Sequence, residues 1–358
     1  MRFWIAMATV VLSVLIAGWI RQWAAWHRYV DRPQGGRKIH TAPIPFGGGI
    51  AIVIAWGVGI LLWVVFEGWP GRPTVSAMQL TGIVVSCIVL LVGGYMDDRR
   101  SMSAWKQVLI SVAAIVILLI VDIRLTTLRL PWDGIISFQW ARINLGNIAF
   151  VWPADILTIA WVLVISYSTK LFDGIDGLVT GMGAIGGFIL FAVSLLPTLN
   201  QPQNAMIALL FAASCLGILF WNWHPAKIFL GQGGSVLIGH VMAALSIVTG
   251  TKVMTTLLVV GIALFDLAWV VFRRAFFEHR SPFSGDQRHI HHRLLDQGLS
   301  QRQTAVLLLG ISALFGILAI LLQTAQKIIA LVALLAVCLL LAVTVVLAKQ
   351  RTSHHRTD

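Results

Sequence analysis

Long apolar runs broken by short polar gaps repeat from one end of this chain to the other. Eleven of them stand out, at 3–20, 47–66, 77–95, 108–121, 152–168, 178–196, 205–221, 235–250, 253–272, 305–322 and 328–347. As helices they suit a hydrocarbon layer about 30 Å thick, with the fourth and eighth on the short side. The pattern predicts an all-α, polytopic integral membrane bundle of about eleven transmembrane helices, organised as a single domain over 1–358. The first run is read as an anchor rather than a cleaved leader, because no small-residue cleavage site follows it. One gap departs from the rest. Between 123 and 151 apolar residues alternate around Leu125, Leu128, Leu130, Ile143 and Leu145, which predicts a small β-hairpin outside the membrane.

Composition strengthens this picture. At 58% hydrophobic and 11% charged residues the chain is no ordinary soluble domain. The net charge of +12 could suggest nucleic acid, but its distribution points to the lipid bilayer. Alternate gaps carry most of the basic residues, from Arg21, Arg28 and Arg32 through Arg99 and Arg100 to Arg273, Arg274 and Arg288. Excess Lys and Arg mark cytoplasmic loops, so the reading is a bacterial multi-pass inner-membrane protein with N-terminus outside and C-terminus inside. Nucleic acid is not expected as a partner. Cys87, Cys215 and Cys338 all fall within apolar runs, without metal or redox spacing, and read as packed small hydrophobes.

The polar gaps on the basic side concentrate the chemistry. Asp97 and Asp98 stand together at the end of an apolar run in GGYMDDRR. Adjacent carboxylates at a membrane boundary either bind a cation such as Mg²⁺ or raise one another's pKa. Asp173 and Asp176 recur in KLFDGIDGL, where Gly174 and Gly177 permit tight turns; the alternative is helix capping. The gap before the second run holds Arg37, Lys38 and His40, readable as phosphate ligands or as topology residues. GQGGS opens the eighth run as a small-residue helix start able to offer N–H groups to an anion. His289, His291 and His292, flanked by Arg280, Arg288 and Arg293, suit a diphosphate better than zinc. His240, inside an apolar run, reads as a satisfied helix-facing histidine.

Taken in order, DRPxxRKIHxxPxPxGG, GxxDDR with Lys106 beyond it, DGIDGL, NxxPAKIFLGxxGS, Asp266 followed by RR, and SPFxxDxxHIHHRLL resemble the polyprenyl-phosphate N-acetylhexosamine-1-phosphate transferases over nearly the whole chain. The HxHH form is more similar to the subgroup using UDP-N-acetylglucosamine than to the muramyl-pentapeptide subgroup. The resemblance implies transfer of sugar 1-phosphate from a UDP-N-acetylhexosamine to a polyprenyl phosphate such as undecaprenyl phosphate, releasing UMP, as the first membrane step of a cell-surface glycan pathway. It implies Mg²⁺ as cofactor and a metal set at Asp97, Asp98 and position 232. Asp173, with the acid pair, falls on catalytic positions; Lys38, His40, Lys106, Asp176, Asn222, Phe229, His289, His291, His292 and Arg293 fall on substrate-binding ones. A homodimer is a further expectation.

Three positions depart from the family pattern. Tyr167 and Lys170 stand where Asn is usual, and Gln232 where Asp is usual. One reading lets the Lys170 ammonium take over part of the metal's electrostatic role. The other makes the chain a non-catalytic relative that binds nucleotide-sugar or lipid phosphate without turnover. A transporter is the alternative from another class; its acids should lie near the bilayer midplane, on broken helices related by internal symmetry.

Overall fold

The computed structural model describes residues 3–33, 42–69, 74–129, 134–146, 148–248, 253–278 and 289–354. Among them, eight helices are long and apolar enough to cross a membrane: α1 (Phe3–Trp26), α2 (Gly48–Glu67), α3 (Ala77–Arg100), α5 (Ala154–Phe172), α7 (Pro202–Asn222), α9 (Val253–Arg273, continued by a π-helical turn), α11 (Gln301–Leu321) and α12 (Thr324–His354). Three shorter apolar helices complete the set: α4 (Ala104–Ile120), α6 (Leu178–Ser194) and α8 (Gln232–Val248). All eleven expected spans are therefore helices of one bundle. A twelfth helix, α10 (Ile290–Asp296), lies in a polar gap that periodicity left unassigned.

The centre of the bundle is the short helix α8, buried from Gly233 to Ile247 and packed on both α3 and α5. Helix α7 packs on α1, α2 and α6; α9 packs on α5, α11 and α12. Large apolar side chains such as Leu15, Trp19, Val65 and Phe220 cover the outside. Lipid tails are as apolar as these side chains, so close packing and interhelical hydrogen bonds hold the helices together. The Ser13 hydroxyl donates to the Ser214 carbonyl at 2.6 Å, and the Trp56 indole N–H to the Ile207 carbonyl at 3.1 Å. His240 is satisfied as expected, its Nε2 lying 2.8 Å from the Ser86 hydroxyl.

Between α4 and α5 the chain makes two antiparallel hairpins rather than one. β3 (Thr127–Arg129) pairs with β4 (Ile135–Ser137), and β5 (Gln139–Leu145) with β6 (Ile148–Pro153). They are moored by Arg124, which is buried: its Nε donates to Asp155 Oδ1 at 2.7 Å and its Nη2 to the Leu119 carbonyl at 3.0 Å. A third, minimal pair, β1 (Val30–Asp31) with β2 (Ile44–Pro45), lies at the opposite end, after α1 and before α2.

Candidate active site

A glycine-lined crossing builds the site. A Cβ on Gly94 of α3 would fall 2.1 Å from the Gly233 nitrogen, and one on Gly49 of α2 would fall 2.4 Å from the Gly234 Cα. Only hydrogens let the backbones of α2, α3 and α8 approach so closely. The contact delivers the start of α8 to the end of α3, where the acid pair stands. The Gln232 N–H donates to Asp98 Oδ1 at 3.2 Å. The anion at this helix start is thus the chain's own carboxylate. The other oxygen, Oδ2, accepts a 2.6 Å hydrogen bond from the Tyr29 hydroxyl. Burial, then the Asp98 charge, push the Tyr29 pKa well above its ordinary value, so it stays a donor. The Arg99 guanidinium lies over the rings of Tyr29 and Tyr95, at 5.5 and 5.4 Å.

Asp97 is buried. Its Oδ1 accepts from the Met102 N–H at 2.6 Å, and its Oδ2 lies 3.9 Å from the Lys170 ammonium. Lys170 comes from the last turn of α5, donates to Gln107 Oε1 of α4 at 2.6 Å, and sits 5.7 Å over the ring of Tyr167. These groups line a small recess, open to solvent, that also takes in Gln232. Lys106, expected here, stands instead over the ring of Trp105 and is exposed. Its neighbour on the helix, Gln107, reaches the site.

Asp173 ends α5 with its side chain in contact with solvent yet ringed by protein. Crowding by surrounding protein, then the Asp176 charge, push its carboxyl up to about 7, with the Ser235 hydroxyl opposing and the Asp98 charge adding to the rise. Neither acid is a helix N-cap, since Gly177 fills that place before α6 with φ of 78°. Asp176 Oδ2 instead accepts from the Ala226 N–H at 3.0 Å and pairs with His224 Nδ1 at 2.7 Å, tying the loop after α5 to the loop after α7. Gly174 has another reason to be glycine: a Cβ there would fall 1.9 Å from His291 Nε2.

The histidine segment therefore does reach the acids. His291 is buried and neither ring nitrogen has a hydrogen-bond partner among the described residues; burial, helped by His292 and His289, holds its pKa well below the ordinary value, so the ring is neutral. His289 is anchored by Asp266 of α9, whose Oδ2 lies 2.7 Å from Nδ1 and whose Oδ1 accepts from the Ile290 N–H. His292 packs on His291, and Arg293 follows on α10. Asn222 is buried with both amide atoms in use, accepting from Thr180 and donating to the Ile228 carbonyl. Phe229 packs on Phe46, and its backbone joins Pro45 to Gly48. Both brace the loop before α8; the Asn222 amide is fully used there, and Phe229 is half-buried. Lys38 and His40 lie outside the described residues. The sequence reading missed Tyr29, Gln107 and His224 and gave Asp266 no role. Of these, only Asp266 carried a signal, as part of the family motif.

The expected Mg²⁺ set fits poorly. Magnesium demands near-octahedral oxygen ligands at about 2.0–2.1 Å and is bound through one or two carboxylates and phosphates. Both oxygens of Asp98 and one of Asp97 already accept hydrogen bonds, the remaining Asp97 oxygen faces an ammonium, and Gln232 is exposed and uncharged. No group of three His, Cys, Asp or Glu among the described residues is arranged to hold a metal ion.

Comparison with known proteins gives a consistent picture. The sequence model for glycosyl transferase family 4 matches residues 80–250. Over 332 residues the chain is 30% identical to a probable undecaprenyl-phosphate N-acetylglucosaminyl 1-phosphate transferase of Bacillus subtilis, covering 90% of this chain and 86% of the relative. It is 29% identical over 328 residues to a decaprenyl-phosphate N-acetylglucosaminephosphotransferase of Mycolicibacterium smegmatis, covering 85% and 78%. It is 26% identical over 321 residues to a phospho-N-acetylmuramoyl-pentapeptide-transferase of Limosilactobacillus reuteri, covering 84% and 92%.

Proposed function

The chain belongs to the polyprenyl-phosphate N-acetylhexosamine-1-phosphate transferases of glycosyl transferase family 4, and we propose that it moves N-acetylglucosamine 1-phosphate from UDP-N-acetylglucosamine to undecaprenyl phosphate. It is a multi-pass membrane phosphoglycosyltransferase whose acceptor is a polyprenyl phosphate. The names of the similar proteins support the sugar and lipid, and the meeting at one end of the bundle of Asp97 and Asp98, Lys170, Asp173 and the HxHH segment supports phosphate transfer there. Those elements are far apart in the chain.

The reaction is a displacement at phosphorus. An oxygen of the lipid phosphate bonds to the phosphorus carrying the sugar while the bond from that phosphorus to the bridging oxygen breaks, and UMP leaves with the electron pair. Such a transition state asks the protein for alignment and charge neutralisation. Lys170 supplies positive charge next to the acid pair. The neutral His291 offers a hydrogen bond to a diphosphate oxygen, with His289 held in place by Asp266. Asp173 accepts the proton of a monoanionic lipid phosphate. No step is assigned to a divalent ion, because the donor set does not suit one.

A radiolabel on the sugar of UDP-N-acetylglucosamine is expected to appear in the organic extract only when undecaprenyl phosphate is supplied. A muramyl-pentapeptide donor labelled in preference would reject the sugar assignment.

Two further results follow from this reading. As Asp173 must be ionised to take a proton, transfer should climb as pH rises through about 7 and level off above it. Asp173→Asn should lose that limb along with most of its turnover; a pH profile unchanged in this variant removes Asp173 from the chemistry. By charge distribution the site faces the cytoplasm. Ser103 and Ser137 are exposed at opposite ends of the bundle, and the native cysteines are buried. In intact cells a membrane-impermeant maleimide is expected to label Ser137→Cys and spare Ser103→Cys. The reverse pattern inverts the topology.

A further inference from the structure

The recess beside the acid pair holds a cation of the chain's own. The Lys170 side chain is only 14% exposed and comes from a membrane-spanning helix, so its charge is costly to keep there without a purpose. Three contacts fix the ammonium: Gln107 Oε1 at 2.6 Å, Asp97 Oδ2 at 3.9 Å and the face of Tyr167 at 5.7 Å. Tyr167 and Lys170 lie one helical turn apart, so the ring is placed to support the charge. An ammonium has three donors, and Gln107 takes one. Lys170 also lines the recess beside Asp97, so its remaining donors stand next to that space.

The same arrangement repels a second cation. A divalent ion bound by the free Asp97 oxygen would sit against the ammonium. Asp98 is already held by Tyr29 and by the start of α8, and position 232 contributes no charge. Tyr167, Lys170 and Gln232 border one cavity, so the three positions that depart from the family pattern act on one space.

We propose that Lys170 is the resident cation of this site in place of a divalent metal, and that the transferase works without one. The inference rests on the transferase reading. During transfer the charge of Lys170 offsets the negative charge spread over the oxygens of the phosphorus under attack.

Binding of Mn²⁺ tests this without relying on turnover. The full-length wild-type chain in detergent, given stoichiometric Mn²⁺, is expected to leave the electron paramagnetic resonance spectrum that of the free ion. The double variant Lys170→Asn/Gln232→Asp should quench it. If the pair does not give folded protein, Lys170→Asn alone, which removes the ammonium beside Asp97, makes the same comparison. Wild-type chain that sequesters Mn²⁺, or variants that bind none, overturn the inference. In parallel, UMP release by the wild type should be unchanged by EDTA; release lost in EDTA and restored by Mg²⁺ also overturns it. Absence of UMP in every buffer counts against the proposed reaction instead, and the Mn²⁺ spectra still decide the metal question.

Discussion

Lys170→Met is expected to lower UMP release by about a hundredfold to a thousandfold, the range seen when one preorganised group that stabilises transition-state charge is removed. Methionine keeps a similar length of side chain and deletes the charge. The 2.6 Å hydrogen bond to Gln107 and the pairing with Asp97 go with it. Asp97 then remains buried without its nearest cation, which makes the recess more repellent to phosphate. Lys170→Arg should retain more activity than Lys170→Met, since it keeps the charge but not the compact shape. Turnover of the methionine variant within tenfold of wild type, with the same unfolding temperature, would place the lysine away from the reacting phosphates; that tolerance is about one tenfold step, or 1.4 kcal/mol.

Gly94→Val should abolish the folded enzyme altogether. The first added carbon would stand 2.1 Å from the Gly233 nitrogen and 2.2 Å from its Cα. Both are backbone atoms of a helix buried on every side, so neither can swing away. Overpacking a core typically costs about 1–3 kcal/mol when side chains can adjust, and here the obstacle is main chain. Separating α3 from α8 would also pull Asp98 off the start of α8. Loss of the monodisperse peak in size-exclusion chromatography is the expected readout. A variant that elutes and unfolds like wild type would mean that the two helices are not in contact.

The membrane architecture was readable because hydrocarbon thickness imposes a length on every spanning helix. That constraint located all eleven helices, even the short α4 and α8. It says nothing about α10, whose seven residues carry no apolar period of their own. The alternation around Leu125 and Ile143 indicated a hairpin but could not separate β3 and β4 from β5 and β6, since the pairing depends on which strand each segment meets.

Within the site, the acid pairs and histidines declared themselves by residue type in membrane-boundary gaps. Their partners did not. Tyr29 reaches Asp98 across a long stretch of chain, and nothing around Tyr29 in the sequence distinguishes it from an interfacial tyrosine. Lys106 looked the better phosphate ligand, yet the rotation of α4 turns Gln107 to the recess. Gly174 looked like a turn residue and instead makes room for His291. In each case the deciding fact is the orientation of one element against another.

The most direct test of the account is UMP release by the purified chain in liposomes, measured from UDP-N-acetylglucosamine with polyprenyl phosphate present and then withheld. UMP formed in step with lipid-linked sugar phosphate, and only with the acceptor present, is the predicted result. UMP that forms equally without the acceptor, or never forms, contradicts it.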